Sequence, residues 1–171
     1  KFGMTQYPLK EYCGQISCAD IGIRQEYTEN FDYIIRRANS FELKYIIPPK
    51  KSDSHKGNYG RLLIVCGSEK MPGACIMAAE AAARSGVGLL QIATVKGITP
   101  VIASRIPEAM LEPLESDENG FISVNNYDKI MNAAEKATAV LIGCGLGVTD
   151  GTRELVKKLL QNLNCPIILD A

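Results

Sequence analysis

The pattern of apolar and polar positions changes character near residue 55. Before that point, residues 14–23 (GQISCADIGI) alternate and are rich in β-branched side chains, the period-two signature of a half-buried strand. Tyr7-Pro8 and Gly14 ahead of them are turn residues. Residues 1–24 are therefore expected to be the end of a strand system. Residues 25–49 are polar and charged, with one short amphipathic stretch at Phe31, Ile34 and Ile35, and they close on Pro48-Pro49, which interrupts any helix. They read as a connector.

Residues 50–171 alternate between two other patterns. Residues 60–68 (GRLLIVCGS), 87–94 (VGLLQIAT), 138–147 (TAVLIGCGLG) and 165–171 (CPIILDA) are continuous apolar runs, the texture of parallel strands buried on both faces. Between them, residues 73–86 (GACIMAAEAAARSG) predict an Ala-rich helix bracketed by glycines, and residues 129–137 and 150–163 predict amphipathic helices. Residues 99–110 (TPVIASRIPEAM) read as a short irregular or helical crossover. Strand–helix alternation implies right-handed crossovers and an α/β fold, a mostly parallel sheet between helices.

Composition narrows the possibilities. The chain has 171 residues, 46% of them hydrophobic, and 19 Lys+Arg balance 19 Asp+Glu for a net charge of zero. Nothing favours capture of nucleic acid or of an anionic membrane. No stretch approaches the roughly 18 consecutive apolar residues of a membrane span, and no signal peptide is visible, so a cytoplasmic location is expected. The six cysteines form neither CxxC nor a His/Cys cluster and read as reduced thiols. The chain opens on Lys1 and stops straight after an apolar run, which reads as a piece of something longer.

Open parallel sheets bind ligands at the carboxyl ends of their strands, and three such ends are unusual here. The first is Gly67-Ser68 with Met71-Pro72-Gly73-Ala74, where a bare backbone opens a helix. The second is GCGLG, with Gly143, Gly145 and Gly147 alternating before Thr149-Asp150; its spacing is not that of the dinucleotide fingerprint, and a ligand-free tight turn fits it equally well. The third is Asp170, an acid at a strand tip that suits a hydroxyl, a metal, a helix amino terminus or plain solvent. Lys56, in the loop SHKGNYG beside the lone His55, is a candidate phosphate contact or simply part of a structural turn. Arg84 and Ser85 suit the end of the Ala-rich helix, and Arg105 with Glu108 suits a loop-fixing ion pair. No nucleophilic triad, metal motif or phosphate loop is present, so the residues describe a binding half-site with no catalytic group and no metal site.

Taken in order, SHKGNYGRLLIVCGS, MPGACIMAAEAAARSGVGLLQIAT, SRIPEAM, LIGCGLG and PIILDA resemble the ADP/ATP-dependent NAD(P)H-hydrate dehydratases, a carbohydrate-kinase-related family. YPLKEYCGQISCADIGI is similar to the tail of the NAD(P)H-hydrate epimerase domain fused ahead of it in many bacteria. The resemblance implies a ribokinase-like fold of which residues 50–171 are the amino-terminal part, following an epimerase end at 1–24 and the connector at 25–49. It implies ADP or ATP with Mg2+, NADH-hydrate or NADPH-hydrate as substrate, the remainder of its own polypeptide as partner, and a homo-oligomer. It assigns hydrate binding to Ala74 and Gly145, with Gly143, Gly67 and Gly73 shaping the walls and Lys56 and Asp170 as further candidates. The family's catalytic Asp, in a GTGD motif, lies beyond Ala171, so the chain alone is expected to be inactive. Cys144 stands where the family commonly has Pro, and Cys66 where it often has Gly. A small-molecule kinase of the ribokinase superfamily and a non-catalytic nucleotide-binding module are the alternatives.

Overall fold

The computed structural model describes residues 2–17, 19–24, 26–29, 49–50 and 52–170. The chain parts into two compact units, Lys1–Ser52 and Asp53–Ala171. The first holds 3-10 turns at Phe2–Thr5 and Leu9–Tyr12 and a single helical turn, α1 (Glu26–Glu29). The expected strand at residues 14–23 is not formed: its described residues are irregular, with Ile21 80% and Ile23 60% exposed. Alternation marks a strand only where a neighbour supplies ladder hydrogen bonds, and no described segment pairs with this one. The amphipathic stretch at Phe31, Ile34 and Ile35 lies outside the described residues.

The second unit runs β1 (Arg61–Val65), α2 (Pro72–Arg84), β2 (Leu89–Val95), α3 (Thr99–Arg105), β3 (Met110–Leu114), α4 (Tyr127–Ala134), β4 (Ala139–Ile142), α5 (Asp150–Asn162) and β5 (Ile167–Leu169). All four pairings are parallel, in the order β3-β2-β1-β4-β5. Ile64 at the centre faces Ile92 on one side and Leu141 on the other. Leu63, Ile64, Val65, Ile92, Val140 and Ile142 are buried, each contributing about 2 kcal/mol by leaving water. The apolar runs are continuous because β1 has a strand on either side and helices over both faces.

The chain steps one way from β1 to β3 and the other way from β3 to β5. Right-handed crossovers then put α2 and α3 on one face and α4 and α5 on the other, and the members of each pair pack against one another. The loops after β1 and β4 leave adjacent strands for opposite faces, opening a crevice between them at the carboxyl edge.

Two local expectations are corrected. A fifth strand, β3, follows the crossover at residues 99–110: Glu112 and Pro113 interrupt its apolar pattern, as suits an edge strand paired only with β2. Arg105 pairs with Glu80 of α2 at 2.9 Å, not with Glu108, because α3 packs on α2 and turns Arg105 toward that helix. Ser85 behaves as expected, its hydroxyl donating to Ala81 O at 2.8 Å. The described cysteines are free thiols. No helix among the described residues is long and apolar enough to cross a membrane.

Candidate functional site at the carboxyl edge

The β1 and β4 loops interlock at the crevice. Gly67 N donates to Cys144 O at 2.9 Å, and Leu146 N closes the turn on Gly143 O at 2.7 Å. Gly145 has φ +76°, a left-handed conformation that suits glycine. A β-carbon there would stand 2.9 Å from both the Ala74 methyl and Met71 O, so the turn lies directly against the opening of α2. Gly143 meets β5 in the same way: a β-carbon would fall 2.2 Å from Asp170 O. Asp170 N donates to Ile142 O at 2.8 Å, which carries the strand pairing to the tip of β5.

α2 begins with Pro at its first turn and has no side-chain cap at Met71, so its leading N–H groups are unclaimed by side chains. Gly73 has nothing within 4 Å of where its side chain would be. α5 is capped differently. Thr149 and Thr152 form a reciprocal capping box, and buried Thr152 also donates to Gly147 O at 2.9 Å, tying the glycine turn to the helix.

Beside the turn lies a cavity of about 720 Å³. Gly143, Gly145 and Asp170 line it, as do Met71, Leu146 and Val148. The α5 side contributes Arg153, Val156, Lys157 and Leu160. Of the residues singled out from sequence, Gly143, Gly145 and Asp170 line the cavity, Gly73 and Ala74 open the helix that lies against Gly145, and Gly67 is tied to the turn through Cys144 O while its own Cα faces Thr94, Cys75 and Ile98. Lys56 does not join them. It sits in the turn Lys56–Tyr59 before β1, at the opposite edge of the sheet, where Gly88 N donates to Tyr59 O at 3.0 Å. The cations on the α5 wall were not anticipated, although Arg153 and Lys157 at i and i+4 share a helical face and were open to that reading.

Three thiols lie near this edge. Cys66 and Cys75 are fully buried; the hydrogen bond to Cys75 and then burial keep the Cys66 thiol protonated. Cys144 is half-buried, and its thiol is pushed up by burial first and then by the Asp170 carboxylate, which accepts its S–H. No three His, Cys, Asp or Glu side chains among the described residues are grouped to hold a metal ion. Asp170 is the one carboxylate on the cavity wall, too little to fit a Mg2+ site by itself.

A sequence profile for the carbohydrate-kinase-related family, described as NAD(P)H-hydrate dehydratase, matches residues 62–171. The chain belongs to the NAD(P)H-hydrate dehydratase family. It is 40% identical over 117 residues to the ADP-dependent (S)-NAD(P)H-hydrate dehydratase of Xanthomonas campestris, covering 68% of this chain and 40% of that protein. It is 30% identical over 170 residues to the bifunctional NAD(P)H-hydrate repair enzyme Nnr of Thermofilum pendens, covering 99% of this chain and 32% of that protein. Among solved structures it resembles the ADP/ATP-dependent NAD(P)H-hydrate dehydratase of Bacillus subtilis co-crystallised with ATP/Mg2+, with a TM-score of 0.61 and 33% identity over 77% of this chain and 44% of that one. A ribokinase-like protein of Enterococcus faecalis gives a TM-score of 0.60 at 30% identity, over 72% of this chain and 40% of that one. The fold is therefore ribokinase-like, and the chain spans 32–44% of the length of these relatives.

Proposed function

We propose that this chain furnishes the hydrate-binding part of an ADP- or ATP-dependent NAD(P)H-hydrate dehydratase, completed by further residues of its own polypeptide. Residues 1–24, on this reading, are the tail of a fused NAD(P)H-hydrate epimerase, and the whole is a cytoplasmic homo-oligomer. The observation that carries the reading is the contact of Gly145 with Met71 and Ala74, which joins the bare start of α2 to the glycine turn where the crossovers diverge. The leading N–H groups of α2, unclaimed by side chains, lie against the glycine turn there, and they suit a polyanionic dinucleotide.

When bound, the nucleoside phosphate supplies the phosphoryl group that turns a poor hydroxide leaving group into a good one. The part assigned to this chain is positioning. Ala74 and Gly145 hold the hydrated dinucleotide, Gly73 leaves it room, Gly67 and Gly143 shape the wall by letting their loops close on Cys75 and Asp170, and Asp170 presents an acceptor for a hydroxyl. The proton-handling Asp is expected from the GTGD motif outside this chain. No step is assigned to a metal ion.

Incubation of the complete polypeptide with NADPH-hydrate and ADP or ATP tests the reading. Return of the dihydronicotinamide absorbance, dependent on the nucleotide, is the expected result. Stable phosphorylation of an added alcohol without that absorbance identifies a small-molecule kinase instead. Absence of both, with no dinucleotide binding in a calorimetric titration, identifies a module with structural glycine turns.

A further inference from the structure

The loop after β1 carries an exposed cation with no ionic partner among the described residues. Lys70 lies two residues ahead of α2. Its Nζ stands over the ring of Phe121, 5.0 Å from the centroid. Phe121 belongs to a hairpin after β3, closed by an antiparallel bridge between Ser116 and Ile122. Asp117 Oδ1 shapes that hairpin by accepting from Asn119 N and Phe121 N, each at 2.9 Å. The hairpin meets the loop after β1, where Glu69 N donates to Gly120 O at 2.9 Å. The edge of the Phe121 ring rests on the glycine turn: a β-carbon at Gly147 would lie 2.3 Å from Cε1. Lysine, ring and glycine turn are thus stacked at the rim of the crevice, although Lys70 and Phe121 are 51 positions apart in the sequence.

The neighbouring acids are committed elsewhere. The Glu69 carboxylate accepts from Ser116 Oγ at 3.2 Å and packs beside Gly97 and Gly120. Asp117 is engaged by the hairpin amides. Among the described residues no carboxylate lies within ion-pair distance of Lys70. A ring face steadies an ammonium through its quadrupole without neutralising it, so the charge and donors of Lys70 stay available in the loop that leads into α2.

We propose that Lys70 is a phosphate-binding residue of the dinucleotide site, and that Phe121 is the residue that positions it. The inference rests on the hydrate-binding reading above and names the group recognised, a phosphate oxygen. A dinucleotide offers two sources: the diphosphate between its halves and, in the NADP series, the 2′-phosphate.

The test is calorimetric titration of the complete polypeptide with NADH and with NADPH, comparing wild type, Lys70→Met, Lys70→Arg and Phe121→Leu, with melting temperatures measured alongside. Loss of one charge-assisted contact in Lys70→Met weakens binding about tenfold and flattens its salt dependence. Lys70→Arg restores most of the affinity, and Phe121→Leu gives an intermediate loss because the ammonium is no longer held. Equal loss for both dinucleotides assigns the diphosphate, and loss for NADPH alone assigns the 2′-phosphate. Unchanged affinity for both in a Lys70→Met protein that melts like wild type overturns the proposal while leaving the hydrate-binding reading intact. A wild-type protein that binds neither dinucleotide removes that reading, and this proposal with it.

Discussion

Replacing Gly145 by Ala tests the interlock between the two loops. At φ +76° an L-residue costs about 1–2 kcal/mol. The new methyl also falls 2.9 Å from the Ala74 methyl and 2.9 Å from Met71 O, and such overpacking against a helix start costs a further 1–3 kcal/mol or so. The sum is about 3 kcal/mol. For a unit the size of Asp53–Ala171, that lowers the melting temperature by on the order of 10 °C. Thermal unfolding of Gly145→Ala, Ala74→Gly and the double variant separates the two causes. Ala74→Gly alone costs up to about 1 kcal/mol, because glycine is a poor helix former. In the double variant it removes one of the two clashes, so the cost is below the sum of the single costs by about 1 kcal/mol. Strict additivity, or a melting temperature for Gly145→Ala within 2 °C or so of wild type, would refute the claim that the turn and α2 are in contact.

Other expectations follow from the same geometry. Asp170→Asn removes the charge that disfavours the Cys144 thiolate, so site-resolved iodoacetamide labelling of Cys144 at about pH 8 accelerates severalfold; an unchanged or slower rate contradicts the contact. The sign is that of a carboxylate raising a neighbouring acid: without it, the thiolate forms at lower pH. Thr152→Ala strips Thr149 N and Gly147 O of their partner and lowers stability by about 2 kcal/mol in urea denaturation. Arg105→Ala breaks an ion pair whose arginine side chain is 61% exposed and shifts the urea midpoint by less than about 0.5 kcal/mol equivalent.

The sheet was readable where burial on both faces leaves no polar position, as in β1 and β4. It was not readable at β3, whose Glu112 and Pro113 are tolerated because the strand pairs on one side only. Residues 14–23 show the converse: a strand-like alternation that the described residues do not pair. The crevice was legible through its glycines, since close approach of two backbones leaves a mark in composition. Lys56 precedes β1 and so stands at the amino end of that strand, away from the crevice. Lys70 and Phe121 were invisible in the sequence. Their meeting depends on a hairpin after β3 that reaches the loop after β1, and neither residue belongs to a pattern that announces it.

The central position of β1 has a consequence for synthesis. The central strand of the second unit's sheet is the first of the five to leave the ribosome. One of its edges is covered soon by β2, but the other waits for β4, and Arg61 N finds Thr138 Oγ1 only 77 residues later. At translation speeds of about 5–20 residues per second, that edge stays open for roughly 4–15 s. During that interval an apolar strand whose Leu63, Ile64 and Val65 are concealed in the finished protein is exposed to chaperones and to neighbouring nascent chains.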